Sequence, residues 1–183
     1  MAGGIRAWEG QTATGAPEAG MAYFSKAVSL EHMIALAWGL EDGSRLFYTG
    51  VATQLDGSQP EADLFTTLAT AEVQHKQHLL DSYKAIVGTE LNFDDLPQDL
   101  AETAEGKTME GGIPVAAALA WAKDHNVEEI LDFSMALEVN AYDLYIKMGR
   151  KVEDGKAKQI FKKLADEEQL HLRRLGKLLD SRA

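Results

Sequence analysis

The sequence predicts an all-α protein, a four-helix bundle made of two duplicated antiparallel helical hairpins joined by a long crossover connection. Three observations predict it. The frame L-A-x-x-E-x-x-H occurs twice, as LATAEVQH at Leu68–His75 and as LADEEQLH at Leu164–His171, 96 residues apart. Apolar residues around both copies recur at spacings of three, four and seven, the period of a helix with one buried face. Start and turn signals then divide each half into two at matching places.

The repeat extends well beyond the two octets. Ser29-Leu30-Glu31 opens a run that ends in Leu40-Glu41, with Tyr48 seven residues beyond that acid. Asn126-Val127-Glu128 opens a second run that ends in Leu137-Glu138, with Tyr145 seven beyond, at an offset of 97. Upstream, Gly15-Ala16-Pro17 matches Gly112-Ile113-Pro114, and Phe24-Ser25-Lys26 matches Trp121-Ala122-Lys123 at the same offset. Each half is therefore expected to open with a short segment started by Pro, followed by a long helix, a turn and a second long helix. The change of offset falls between Tyr48 and Leu64, where Asp56-Gly57 reads as a turn.

Long helices are expected over 29–54, 59–87, 126–149 and 155–181. In the second, Leu64, Leu68, Glu72, His75, Leu79 and Ile86 share one stripe; in the fourth, Ile160, Leu164, Glu168, His171, Leu175 and Leu179 do. Ser58 with Glu61, and Asn126 with Glu129, have the spacing of capping boxes, and Asp154-Gly155 marks the second hairpin turn. Short turns make each pair antiparallel. Residues 88–111 are polar and acidic and long enough to cross from one end of the bundle to the other. One hairpin cannot bury its own apolar face, so both halves are read as one domain over 25–183, after an N-terminal segment, 1–24.

Composition narrows the function. The 183 residues include 45% apolar side chains, 18 basic and 29 acidic ones, for a formal charge of −11. That sign disfavours nucleic acid and anionic lipid and suits cations. The chain has no cysteine, which excludes a thiol nucleophile, cysteine-bound zinc and iron–sulfur clusters and fits a reducing cytoplasm. No apolar run approaches the ~20 residues of a membrane span, and the N-terminus lacks a basic-then-apolar export signal.

The repeated acids carry the chemistry. Glu and His at i and i+3 lie on one helix face, here inside the apolar stripe, so both should point into the bundle. Glu41 interrupts the run Ile34, Trp38, Glu41, Arg45, Tyr48, and Glu138 interrupts Leu131, Met135, Glu138, Tyr142, Tyr145. Antiparallel pairing would bring Glu41 beside Glu72 and His75, and Glu138 beside Glu168 and His171. Four carboxylates and two imidazoles in one core are unfavourable unless cations compensate them. Two divalent cations match four carboxylates, and the oxygen and nitrogen donors suit iron or manganese, with zinc as a further substitute.

These residues, in this order, resemble the rubrerythrin branch of the ferritin-like superfamily. The resemblance covers roughly residues 25–181 and rests on Glu41 with Tyr48, Glu72-x-x-His75, Glu138 with Tyr145, and Glu168-x-x-His171. It implies a bundle holding two iron ions that react with peroxide or dioxygen. Three features depart from the family pattern. The rubredoxin module with its paired Cys-x-x-Cys motifs is absent, so electrons would come from a separate redox protein. The family's additional Glu one turn after the third-helix ligand is Ala141 here, which puts ligand switching of that kind in doubt. The short segments before the long helices extend the usual hairpins. Separately, GGIRAWEG near the N-terminus resembles the end of a rhodanese domain, which would make residues 1–24 a remnant of a preceding domain; a flexible tail is the other reading. Rhodanese activity is not implied, because the catalytic cysteine is missing.

Other residues divide as follows. Tyr48 and Tyr145 either hydrogen-bond ligand carboxylates or simply pack in the core. His78 has Arg174 as its counterpart and reads as a peripheral histidine. His32 and His125 read as solvated at helix starts, Trp38 and Met135 as core, and Arg45 as a partner of Asp42. The acidic crossover reads as a solvated loop. The expected function is reduction of peroxide or dioxygen by a di-iron homodimer. A ferroxidase of ferritin type, or a bundle whose metals are only structural, are the alternatives.

Overall fold

A computed structural model describes residues 29–55, 60–96 and 107–181. Five α-helices are described: α1 Leu30–Gln54, α2 Pro60–Val87, α3 Val115–Ala122, α4 Val127–Lys151 and α5 Gly155–Asp180. The four long ones form the expected bundle, and their bounds fall within two residues of those read from the sequence. Two strands of two residues each, β1 Thr108–Met109 and β2 Ile113–Pro114, pair antiparallel, Thr108 opposite Pro114 and Met109 opposite Ile113. No described helix is long and apolar enough to cross a membrane.

Local chemistry sets the helix ends. Ser29 Oγ accepts from the His32 amide at 3.1 Å. Asn126 and Glu129 form the expected reciprocal box, at 3.0 and 2.9 Å. Asp154 caps α5 by accepting from the amides of Lys156 and Ala157. Gly88, at φ 86°, closes α2 in the left-handed region where a side chain would be strained. The expected turn at Asp56-Gly57, the box begun by Ser58, and the segments at 1–24 and 24–26 lie outside the described residues.

The described parts of the connection, and α3 after it, lie against α1. Phe93 packs on Trp38, ring centroids 4.8 Å apart. Farther along α1, Thr108 lies against Gly43 so closely that an added Cβ would come within 2.2 Å of the Thr108 carbonyl oxygen. Leu119 of α3 then covers Gly50, near the end of the same helix. Trp38 is half-buried rather than core, sandwiched between Phe93 and the Lys76 ammonium 3.9 Å from its ring. Met135 is likewise only partly buried.

The interior has two apolar layers. One gathers Ile34, Leu36, Leu40, Leu79, Tyr145, Phe161 and Leu164, and the other Phe47, Tyr48, Phe65, Leu68, Leu131, Leu137 and Leu175. On each long helix the acid in the buried stripe sits where one layer gives way to the other. The bundle thus encloses a polar plane between two dry ones.

Removing the Asn126 cap leaves an unpaired amide at the start of α4. We expect Asn126→Ala to cost about 1 kcal/mol, a fall of ~2–4 °C in melting temperature for a chain of this size. Calorimetry on the two proteins checks this, and an unchanged transition would contradict it.

Candidate metal centre

Each long helix delivers one carboxylate to the polar plane, and α2 and α5 each add a histidine one turn later. Glu41, Glu72, His75, Glu138, Glu168 and His171 are all buried, none more than 3% exposed. His75 Nδ1 lies 3.2 Å from Glu41 Oε2, 3.0 Å from Glu72 Oε2 and 3.2 Å from Glu168 Oε1. His171 Nδ1 lies 3.1 Å from Glu138 Oε2, 3.2 Å from Glu168 Oε2 and 3.7 Å from Glu72 Oε1. Glu72 and Glu168 each turn one oxygen to either histidine, so they stand between the two halves; Glu41 and Glu138 flank them.

Donor atoms of Glu41, Glu72, His75 and Glu168 converge within 4.8 Å of one another, as do those of Glu72, Glu138 and His171. Both groups could hold a metal ion. Glu72 Oε2 and Glu168 Oε1 lie 3.0 and 3.2 Å from His75 Nδ1 but are buried without a well-aligned hydrogen bond, a costly state that a cation would relieve.

The tyrosines cross the bundle. Tyr145 of α4 donates to Glu41 Oε1 of α1, and Tyr48 of α1 donates to Glu138 Oε1 of α4. Each therefore serves the half opposite its own. Both are buried, so the packing reading and the hydrogen-bonding reading hold together. Burial, and then the Glu138 charge at Tyr48 and the Glu41 charge at Tyr145, push both phenols well above their ordinary range, so they stay protonated donors.

Two further carboxylates stand at the site. Glu167 Oε2 lies 3.2 Å from His75 Nε2, on the far side of that ring. Glu110, at the tip between β1 and β2, is 3% exposed and accepts from Ser44 Oγ. It lines one small polar cavity with Glu41, Ser44, Tyr48, Glu72, Glu138, Ala141 and Glu168. The end of the crossover is thus part of the interior, not a solvated loop. It doubles back at Gly111 and Gly112, at φ 76° and 73°, which turns Glu110 inward. Only Glu-Gly-Gly hinted at this, and Glu167 was masked by its place beside Glu168 in an acidic run.

The remaining histidines stay apart from the cluster. His78 is half-buried beside Lys163, 3.3 Å away. His125 is not solvated: it stacks on Trp121 with centroids 4.0 Å apart and bonds that residue's carbonyl. His32 is half-buried, with its Nδ1 enclosed. Arg45 does pair with Asp42, at 2.8 Å.

Electrostatics describe how the cluster survives without metal. Burial, then the Glu41 charge, push Glu72 well above the ordinary carboxylate range. Burial and the Glu168 charge raise Glu138 to about 7. Burial also opposes ionisation of Glu41 and Glu168, but His75 and the surrounding hydrogen bonds outweigh it and hold both below their ordinary value. Burial disfavours charged imidazoles, yet the Glu41 charge raises His75 and the Glu138 charge raises His171 to about 10. In the metal-free cluster Glu41 and Glu168 are therefore ionised, with Glu167 beside them also held low by His75, against two imidazolium ions, while Glu72 keeps its proton and Glu138 titrates near 7.

A family model described as Rubrerythrin matches residues 32–179, about four-fifths of the chain. The chain belongs to the rubrerythrin family. A comparison with curated proteins finds no match. Membership fits the observed bundle, and a rubrerythrin site accounts for acids and histidines that an apolar core would otherwise reject.

The shifts fix how stability should depend on pH. Glu138 contributes stability that is present below the ordinary 4.5 and lost as pH rises through about 7. His171 contributes stability present below 6.5 and lost as pH rises through about 10. The lowered acids are ionised throughout this window and contribute a constant amount. Chelator-treated protein should therefore melt at a lower temperature at pH 8 than at pH 6. An excess of divalent metal should raise the transition more at pH 8, where fewer protons must leave. A metal-free transition equal or higher at pH 8 would contradict the assignment.

Proposed function

We propose that this chain is a non-haem di-iron protein that reduces hydrogen peroxide with electrons from a separate donor. The observation that carries this reading is the convergence of four carboxylates and two imidazoles inside an apolar bundle. Glu41 and His75 would hold one ion, Glu138 and His171 the other, with Glu72 and Glu168 shared between them. Four carboxylates neutralise two divalent ions. A donor set of oxygen and imidazole nitrogen without sulfur suits iron and admits manganese or zinc.

A bound ferrous pair would supply the two electrons that cleave the O–O bond, H2O2 taking up two protons and two electrons to give two waters. The chain's own residues provide the setting. The Tyr145 and Tyr48 hydroxyls each hold one oxygen of Glu41 and Glu138, leaving the other oxygen facing the neighbouring histidine. Glu167 engages His75 Nε2 and so keeps Nδ1 aimed at the carboxylates. The two apolar layers keep bulk water from the reacting centre. With no cysteine in this chain, the electrons that restore the site come from another redox centre, supplied by a partner protein.

The test is rapid mixing of anaerobic, ferrous-loaded protein with peroxide or with dioxygen. We expect oxidation to be faster with peroxide, one peroxide consumed for each two ferrous ions, and reversal on adding a reductant. Faster reaction with dioxygen, followed by release of the iron, would favour a ferroxidase. Full metal binding without reaction toward either oxidant would leave the metals a structural role only.

A further inference from the structure

Glu110 comes from the crossover, not from a bundle helix, yet it reaches the same polar plane. One of its oxygens accepts from Ser44; the other, Oε1, is buried and has no hydrogen-bond partner. The residue is 3% exposed and lines the shared cavity, so that oxygen is shut off from solvent. Glu110 lines that cavity with Glu41, Glu72, Glu138 and Glu168, one acid from each long helix.

The surrounding backbone is shaped to deliver this carboxylate. Gly43 sits between Asp42 and Ser44 on α1, and a side chain there would strike the Thr108 carbonyl, so only glycine lets β1 approach the helix. An added Cβ at Gly111 would come within 2.8 Å of Asn140 Nδ2 on α4. The turn carrying Glu110 is thus wedged between α1 and α4, beside Glu41 and Glu138. Ala141, with no polar group of its own, lines the same cavity.

We propose that Glu110 is a seventh protein ligand, a carboxylate donated by the crossover to the metal pair. This rests on the metal-binding reading above. Charge then assigns the state it serves. Glu41, Glu72, Glu138 and Glu168 already balance two divalent ions. A fifth carboxylate improves the balance only once an ion becomes trivalent, so Glu110 secures the oxidised pair. A purely structural residue would need neither an unpartnered oxygen nor a place in this cavity.

The test loads wild-type, Glu110→Gln and Glu110→Asp proteins with Fe2+ under anaerobic conditions, oxidises them with peroxide, and follows release of iron to a ferric chelator. Gln keeps the volume and the acceptor for Ser44 but loses the charge; Asp keeps the charge but loses the reach. All three should take up two ferrous ions. We expect both variants to release ferric iron roughly tenfold faster, or more, than wild type. Release at the wild-type rate from Glu110→Gln would overturn the proposal. Wild-type behaviour of Glu110→Asp alone would make Glu110 a distant charge and overturn its role as a ligand. Failure of the wild type to take up Fe2+ would instead defeat the metal-binding reading, and this inference with it. A crystal structure of the oxidised wild type supplies an independent readout if either variant misfolds: Glu110 Oε1 bonded to iron supports the assignment, and Glu110 bonded only to Ser44 overturns it.

Discussion

Carboxylates removed from water must find compensating charge, and this bundle buries at least four within a few ångströms of one another. The loss of hydration on burial is the largest cost to these acids, and their mutual repulsion in a poorly polarisable interior adds to it. In the metal-free protein two imidazolium ions and several retained protons meet it. Two divalent cations would meet it more completely, because each supplies two charges at one point and accepts the lone pairs that Glu72 and Glu168 leave unpaired. Much of the rest of the architecture can be understood as support for that plane: dry layers on both sides, phenols that hold the outer acids, and a crossover that seals one flank.

The two hairpins are not independent half-sites. Tyr48 leaves α1 to hold Glu138, and Tyr145 leaves α4 to hold Glu41. Glu72 and Glu168 each face both histidines. A displacement of one hairpin therefore disturbs donors nominally belonging to the other, which ties assembly of the fold to assembly of the site. Yet the two sides are unequal. Glu167 stands against His75, and the position equivalent to Glu167 in the first L-A-x-x-E-x-x-H frame is Ala71, so His171 receives no matching carboxylate from α2. The two ions of a bound pair would differ in charge environment for that reason.

Helical periodicity made the long elements and their inner faces legible, because burial of a 3.6-residue stripe writes itself directly into the sequence. The six convergent residues were legible for a related reason: an acid inside such a stripe is an exception that only a compensating charge explains, and here it occurs at repeated spacings. The crossing of the tyrosines was not legible, since Tyr48 and Tyr145 lie on the same faces as the acids of their own helices and nothing local says which acid each will meet. Glu110 escaped because its approach depends on a tertiary fit, the gap at Gly43 and the left-handed turn at Gly111-Gly112, and loops carry no period to read. His125 was misjudged because its partner, Trp121, belongs to the short preceding helix, whose orientation the sequence left open.

The most direct test of the central claim is anomalous diffraction from crystals of the iron-loaded protein, collected on both sides of the iron absorption edge. Two peaks within the cluster are expected, one bounded by Glu41 and His75, the other by Glu138 and His171, both in contact with Glu72 and Glu168. A single peak, peaks on the protein surface, or an interior that remains metal-free after loading would contradict it.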